Sequence, residues 1–167
     1  MKSVNIFFSC FLVFAFISCA MPNKNTAQDN NNLDRTLNDW DLLSKGTQCA
    51  IEQSKQVVIK SEADFATLWK EAFSGVDMAP EQPEVDFSQK WVIAVFVGMT
   101  NKGGHEVDIT GIEETGTATL VNVLHTAPGK NCMSTMSIEF PYMIIMVNPF
   151  KKGTVEFKTT LQEKDCN

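Results

Sequence analysis

Seven consecutive apolar residues, 91–97 (WVIAVFV), constrain the fold of this chain more than any other feature. No polar or charged side chain interrupts the run, so both faces of the segment must leave water. A half-exposed strand would alternate apolar and polar residues instead. The run therefore predicts a central strand that is covered on both of its faces.

The clearest helix signal lies before that strand. Ser61 is a suitable N-cap, with acidic Asp64 three positions on, a pattern close to a capping box. The apolar residues that follow have helical spacing and are Phe65, Leu68, Trp69, Ala72 and Phe73. The pattern predicts an amphipathic helix that ends at Gly75 and turns its aromatic stripe toward the core.

The remaining segments predict short strands joined by turns. They lie near residues 40–46, 56–59, 106–110, 120–124, 141–147 and 154–159. Leu33, Leu37, Trp40 and Leu43 also fit a helical stripe, but we favour a strand for residues 40–46. Residues 76–89 contain two prolines and four acidic residues and predict a loop. The expected fold class is mainly β (α+β), a curled or barrel-like antiparallel sheet with one amphipathic helix near its start.

The N-terminus predicts export and lipidation. Residues 1–18 combine a basic start with a short apolar run, and residues 16–19 (FISC) resemble a bacterial lipobox. We therefore expect a lipoprotein signal peptide at 1–18 and lipidation at Cys19. The polar stretch that follows predicts a flexible tether over 19–39, and residues 40–167 are long enough for one globular domain.

These features indicate the bacterial cell envelope. Ala20, after the lipidated cysteine, favours the outer membrane, and the periplasmic and surface faces both stay open as alternatives. The formal net charge of −6 disfavours nucleic acid and anionic lipid head groups as partners. Membrane contact is then expected through the lipid anchor only, with a monomeric domain.

The cysteines allow at most one intramolecular disulfide in the mature chain. Cys49, Cys132 and Cys166 lie beyond the lipidation site, in an oxidising compartment. Three pairings are possible. We favour Cys132–Cys166, and the other two stay open.

The residues that could support catalysis are few. His105, His125 and Cys132 could form a cysteine–histidine pair, which makes an enzyme the third hypothesis. We interpret both histidines instead as packed or half-packed side chains, since His105 shares a strand face with Val107 and His125 with Val123. Neither CxxC nor HxxxH spacing occurs, so we expect no metal and no cofactor.

Two loops are the candidate protein-contact sites, because loops on a rigid sheet commonly carry recognition. They span 99–104 and 126–134, and the paired glycines in the first predict a positive φ or a bulge. The candidate contact residues are Met99, Lys102, Gly103, Gly104, His105, Lys130 and Met133.

The order and spacing of several segments resemble the PrcB C-terminal domain family. The segments are 83–88 (PEVDFS), 91–98 (WVIAVFVG), 103–109 (GGHEVDI), 127–129 (APG) and 140–142 (FPY), and the resemblance spans roughly 57–157. The family takes its name from a lipoprotein that associates with and stabilises a surface protease complex.

The resemblance implies a noncatalytic module that binds protein, not an enzyme. The expected partner is an envelope protein, with a protease as the leading candidate, and the expected role is assembly with that protease or its stabilisation. The alternative hypothesis is a direct inhibitor of secreted proteases, in which one of the two loops enters the active-site cleft.

Overall fold

The structure is a computed structural model that describes residues 35–37, 39–151 and 153–166. The described residues form eight strands and one helix. In chain order these are β1 (Arg35–Leu37), β2 (Trp40–Gly46), β3 (Lys55–Ile59), α1 (Glu62–Phe73), β4 (Trp91–Phe96), β5 (Glu106–Glu114), β6 (Thr119–Pro128), β7 (Tyr142–Val147) and β8 (Val155–Lys164).

The strands form two four-stranded sheets. Sheet I has the order β2-β7-β4-β3 and is antiparallel throughout. Sheet II has the order β1-β5-β6-β8, in which β6 and β8 are parallel. The two sheets share one apolar core, and α1 covers the other face of sheet I over a second core. The layers are therefore helix, sheet I and sheet II.

Strand β4 lies in the interior of sheet I, between β7 and β3. Ile93 and Val95 face the core between the sheets, whereas Val92, Ala94 and Phe96 face α1. Each of these five side chains is at most 1% exposed. The prediction of a strand covered on both faces is confirmed, and the helix and sheet II are its two covers.

Helix α1 begins and ends close to the predicted positions. The Ser61 hydroxyl accepts a hydrogen bond from the Asp64 backbone N–H at 3.2 Å, which satisfies one of the free N–H groups of the first turn. All five residues of the predicted apolar stripe are buried. The helix stops at Phe73, and Gly75 follows in the left-handed region with φ of +77°.

The mainly β fold class is confirmed, with one difference in how the strands are arranged. They divide into two packed sheets that do not close into a barrel. Strand β7 in sheet I separates β6 from β8 along the chain, so the chain returns to sheet II in the same direction and β8 pairs parallel to β6. A single curled antiparallel sheet would not contain this pair.

The N-terminal predictions fall almost wholly on residues that the structure leaves undescribed. The signal peptide at 1–18 and the lipidation site Cys19 lie outside the described residues. Within the 19–39 stretch assigned to the tether, Arg35–Leu37 forms β1 and pairs with the end of β5, from Arg35 opposite Glu114 to Leu37 opposite Ile112. In the part of the chain described here, no helix is long and apolar enough to cross a membrane.

Candidate protein-contact surface at the loop end

Two loops meet at one end of the domain, and we call this region the loop end. It comprises residues 99–104 between β4 and β5, residues 129–138 between β6 and β7, and the last residues of β8 up to Cys166. The second loop begins at Gly129 rather than at 126, because β6 extends to Pro128.

Backbone hydrogen bonds join the two loops. Thr100 and Glu139 form an isolated β-bridge, with N–H to carbonyl distances of 2.8 and 3.1 Å. The Gly103 N–H donates to the Thr135 carbonyl at 2.9 Å, and the Gly104 N–H donates to the Glu139 carboxylate at 3.0 Å. The loops therefore hold one another in position.

The paired glycines serve two different purposes. Gly104 has φ of +93°, a conformation that other residues rarely adopt. Gly103 is buried, and a Cβ atom at this position would lie 2.1 Å from the Thr135 hydroxyl. Gly104 thus allows the chain to turn, and Gly103 allows the loops to approach. The bulge in this strand pair lies farther on, between Ile109 and Gly111.

The C-terminus ties the second loop to sheet II. Cys132 and Cys166 form a disulfide, the favoured pairing of the three, and Cys49 is a buried free thiol. The Gly129 N–H also donates to the Lys164 carbonyl at 3.0 Å. Since the bridge closes 34 residues of chain, it stabilises the fold by about 4 kcal/mol on chain entropy alone.

Exposed apolar side chains concentrate at the loop end. Among the described residues, seven large hydrophobic side chains are exposed, and five of them lie here: Met99, Met133, Met136, Ile138 and Leu161. Met133 and Met136 are fully exposed, with relative areas of 103% and 101%. The other two, Leu42 and Met78, lie elsewhere in the chain.

The structure places most of the predicted contact residues on the surface of the loop end. Exposed side chains are those of Met99, Lys102, Lys130 and Met133, and Gly104 is also exposed. His105 is half-buried, and Gly103 is buried under the second loop, where it sets the loop conformation.

Sequence reasoning missed Met136, Ile138 and Leu161. The first two follow the predicted loop directly, and their apolar character in a polar stretch was a usable signal. Leu161 lay beyond the predicted end of the last strand. Its exposure depends on how far β8 extends past the core, which local pattern does not encode.

His105 and His125 meet at the base of the loop end. In β6, His125 is paired with Val107 of β5, and His105 lies two residues before Val107 on the same face. Both rings are half-buried, and the His105 Nδ1 lies 2.9 Å from the His125 Nε2. The interpretation of both histidines as half-packed side chains on the core face agrees with this placement.

The pKa of both imidazoles is lowered below the ordinary histidine value, mainly because the rings are partly buried. The pKa of His105 is raised by the Glu139 carboxylate and lowered by Lys102, and that of His125 is lowered further by His105. A neutral pair can form a hydrogen bond in which one ring donates and the other accepts.

A disulfide bond prevents Cys132 from acting as the nucleophile of a cysteine–histidine pair. Cys132 is bonded to Cys166, and a disulfide sulfur has no thiolate with which to attack. Burial raises the pKa of the Cys49 thiol, which keeps it protonated. Within the described residues, no group of three or more histidine, cysteine or acidic side chains could hold a metal ion.

An open depression of about 570 Å³ lies between α1 and the acidic loop, with Glu62, Glu84 and Asp86 among its lining residues. The Asp86 carboxylate accepts hydrogen bonds from the Ser88 hydroxyl and backbone N–H at 2.6 and 3.0 Å, which lowers its pKa. Hydrogen bonds within this turn thus explain the lowered pKa of Asp86. Among the described residues that line the depression, no other feature indicates a particular ligand.

A comparison with known proteins finds a family-model match to part of the chain. The family model described as PrcB C-terminal matches residues 91–148, which run from the start of β4 just past the end of β7. The resemblance is confirmed over that segment, which contains both loops and both histidines of the loop end. No curated protein and no solved structure matches the chain significantly.

Proposed function

We propose that this chain is a lipid-anchored, noncatalytic protein-binding module of the cell envelope, which assembles with an envelope protease through the loop end. The family match to residues 91–148 suggests a protease-complex-associated subunit. Anchoring through Cys19 follows from the lipobox resemblance of residues 16–19.

The concentration of exposed apolar side chains at the loop end carries this proposal. Exposed apolar side chains that cluster on a surface mark sites of protein interaction, and flexible methionine side chains adapt to an apolar partner surface. Met133 and Met136 project from a loop that is held by the disulfide and by hydrogen bonds to its neighbour. Because that backbone is already ordered, binding costs little conformational entropy.

The position of strand β1 supports the proposal that the loop end is the contact surface. Strand β5 begins at the loop end with Glu106 and finishes at Glu114, opposite Arg35 of β1. Nine residues of strand span about 30 Å. The tether would therefore join the domain at the end opposite the loop end, which leaves the loop end free for a partner.

Affinity purification of the full-length chain from its native cells tests the proposal. The variant Met133→Asp with Met136→Asp should lower the recovery of a co-purified protease at least about 10-fold, because it places two charges in an apolar contact. Met78→Asp is the matched control, since Met78 is 99% exposed but lies outside the loop end. Equal recovery with all three proteins would contradict the proposal.

Direct inhibition of a secreted protease is the second candidate function. The observation that favours it is a fully exposed Met133 one residue after the disulfide-bonded Cys132, a rigid projection that could enter a cleft. Purified chain should then slow a serine, cysteine or metalloprotease at micromolar concentration, and Met133→Asp should abolish the effect. No slowing across the panel would exclude this function.

A further inference from the structure

The two histidines occupy the base of both contact loops. His105 directly follows Gly104, the last residue of the first loop, and His125 lies three residues before Pro128, where β6 ends and the second loop begins. Any change in the contact between these two rings acts on the strand ends that hold the loops.

The geometry of the pair is that of a head-on hydrogen bond. The ring centroids are 5.2 Å apart and the facing nitrogens 2.9 Å apart, so the difference is about two ring radii. Nitrogens that converged on a metal ion between the rings would bring the centroids closer for the same nitrogen separation. The rings therefore share a proton, and one must donate while the other accepts.

We propose that the His105–His125 pair is a proton-operated latch, closed when at least one ring is neutral and opened when both rings are protonated. Two imidazolium rings each present an N–H to the other, so the hydrogen bond is lost and like charges face each other. Opening frees the start of β5 from β6 and loosens both loops. Its effect on a partner rests on the proposed function, whereas the latch itself does not.

The groups around the two histidines determine at which pH the latch opens. Lys102 of the first loop opposes protonation of His105, and Glu139 at the bridge between the loops favours it. On β8, the residue paired with His125 is the uncharged Leu161, and from sheet I the Gln56 amide donates to the Thr159 hydroxyl nearby in the same strand. Burial lowers the pKa of both rings, so the latch is closed at neutral pH and opens on acidification.

Nuclear magnetic resonance of the full chain tests the pair directly. Imidazole nitrogen shifts, followed from about pH 8 to pH 4.5, should give two separate titration steps, because the first proton opposes the second. Both steps should lie below the ordinary histidine value of about 6.5. Two independent steps at that ordinary value would overturn the proposal.

Amide hydrogen exchange tests the release of the loops. After correction for the intrinsic pH dependence of exchange, protection over residues 99–107 and 124–131 should fall roughly 10-fold from about pH 7.5 to about pH 5. In His105→Gln the fall should be less than about 2-fold, since the glutamine carbonyl still accepts a hydrogen bond from protonated His125.

Glu106→Gln is the matched control, because it removes a neighbouring exposed titratable group on the opposite face of β5. It should respond to pH as the wild type does. An equal loss of protection in wild type and His105→Gln would overturn the latch. If His105→Gln does not fold, the titration of the wild-type rings decides alone, and loss of partner binding at neutral pH would count against the proposed function rather than the latch.

Discussion

A glycine determines how closely the two loops of the loop end approach each other. Gly103 packs under the second loop, and a Cβ atom there would lie within 3.0 Å of three side-chain oxygens. Two consecutive glycines in the sequence predict that the backbone has a special requirement. They do not reveal which of the two is needed for φ and which for space, because the contacting Thr135 is 32 residues farther along the chain.

Gly103→Ala should lower the free energy of unfolding by about 1–3 kcal/mol, since the new methyl group forces the Thr135 side chain and its loop to move. Urea unfolding measures this change. Gly153→Ala is the control, because no atom lies within 4 Å of its added Cβ, and it should change stability little. A Gly103→Ala protein as stable as this control would show that the loops are not closely packed.

The two histidines also predict how stability depends on pH. Their pKa values are lowered on folding, so the unfolded chain binds more protons as the pH falls below about 6.5. Their stabilising contribution is complete above that pH and is lost as the pH falls through the folded values. Urea unfolding between about pH 7.5 and pH 5 should show this loss, and it should be smaller in His105→Gln. An equal dependence of the unfolding free energy on pH in the wild type and in His105→Gln would contradict this prediction.

Among the elements, the outer half of β8 depends on its connections rather than on a core. Every side chain from Thr159 to Lys164 is exposed, and the strand is held there by pairing with β6 and by the bridge at Cys166. A segment of this kind has little local stability once it is detached.

Removal of the disulfide should therefore lower the free energy of unfolding by roughly 3–4 kcal/mol and expose the β8 backbone to exchange. Cys132→Ser, Cys166→Ser and the double variant should agree, because each breaks the same bond. Urea unfolding and hydrogen exchange measure both effects. A single variant that matched the wild type would show that the bridge does not form.

The N-cap of α1 can be tested with a single substitution. Ser61→Ala removes the hydroxyl that caps the helix and should cost about 1 kcal/mol of unfolding free energy. Ser74→Ala at the other end should cost much less, since that residue caps through its backbone N–H. Equal losses in urea unfolding would contradict the assigned cap.

The elements also show where sequence reasoning succeeds. β4 and α1 could be predicted because burial on both faces and helical spacing are local patterns of apolar residues. The parallel β6–β8 pair and the division into two sheets could not, because alternation in a strand reports one buried face and not the partner that buries it. β1 has only three residues and is defined by its pairing with β5.

For the whole molecule, the three layers support two loops whose exposed apolar side chains lie at one end. The His105–His125 contact illustrates the limit of prediction at this scale. Alternation placed each ring on the core face, but only the register of β5 against β6 brings them together. The concentration of exposed apolar side chains likewise arises from three separate segments that the fold assembles.

The proposed lipid anchor is the second feature that concerns the whole molecule. Cys19→Ala should move the chain from the membrane fraction to the soluble fraction and abolish its labelling with a radioactive fatty acid, since acyl chains supply the membrane affinity. Cys10→Ala is the control, because that cysteine lies within the predicted signal and should leave labelling intact. Retention of label in Cys19→Ala would contradict lipidation at Cys19.

Site-specific photocrosslinking in native cells tests the loop end most directly. A photoreactive amino acid at Met133 or Met136 should give an adduct with an envelope protease, identified by mass spectrometry, whereas the same probe at the equally exposed Met78 should not. Adducts of equal yield from all three positions, or from Met78 alone, would contradict the assignment of the loop end as the protein-contact surface.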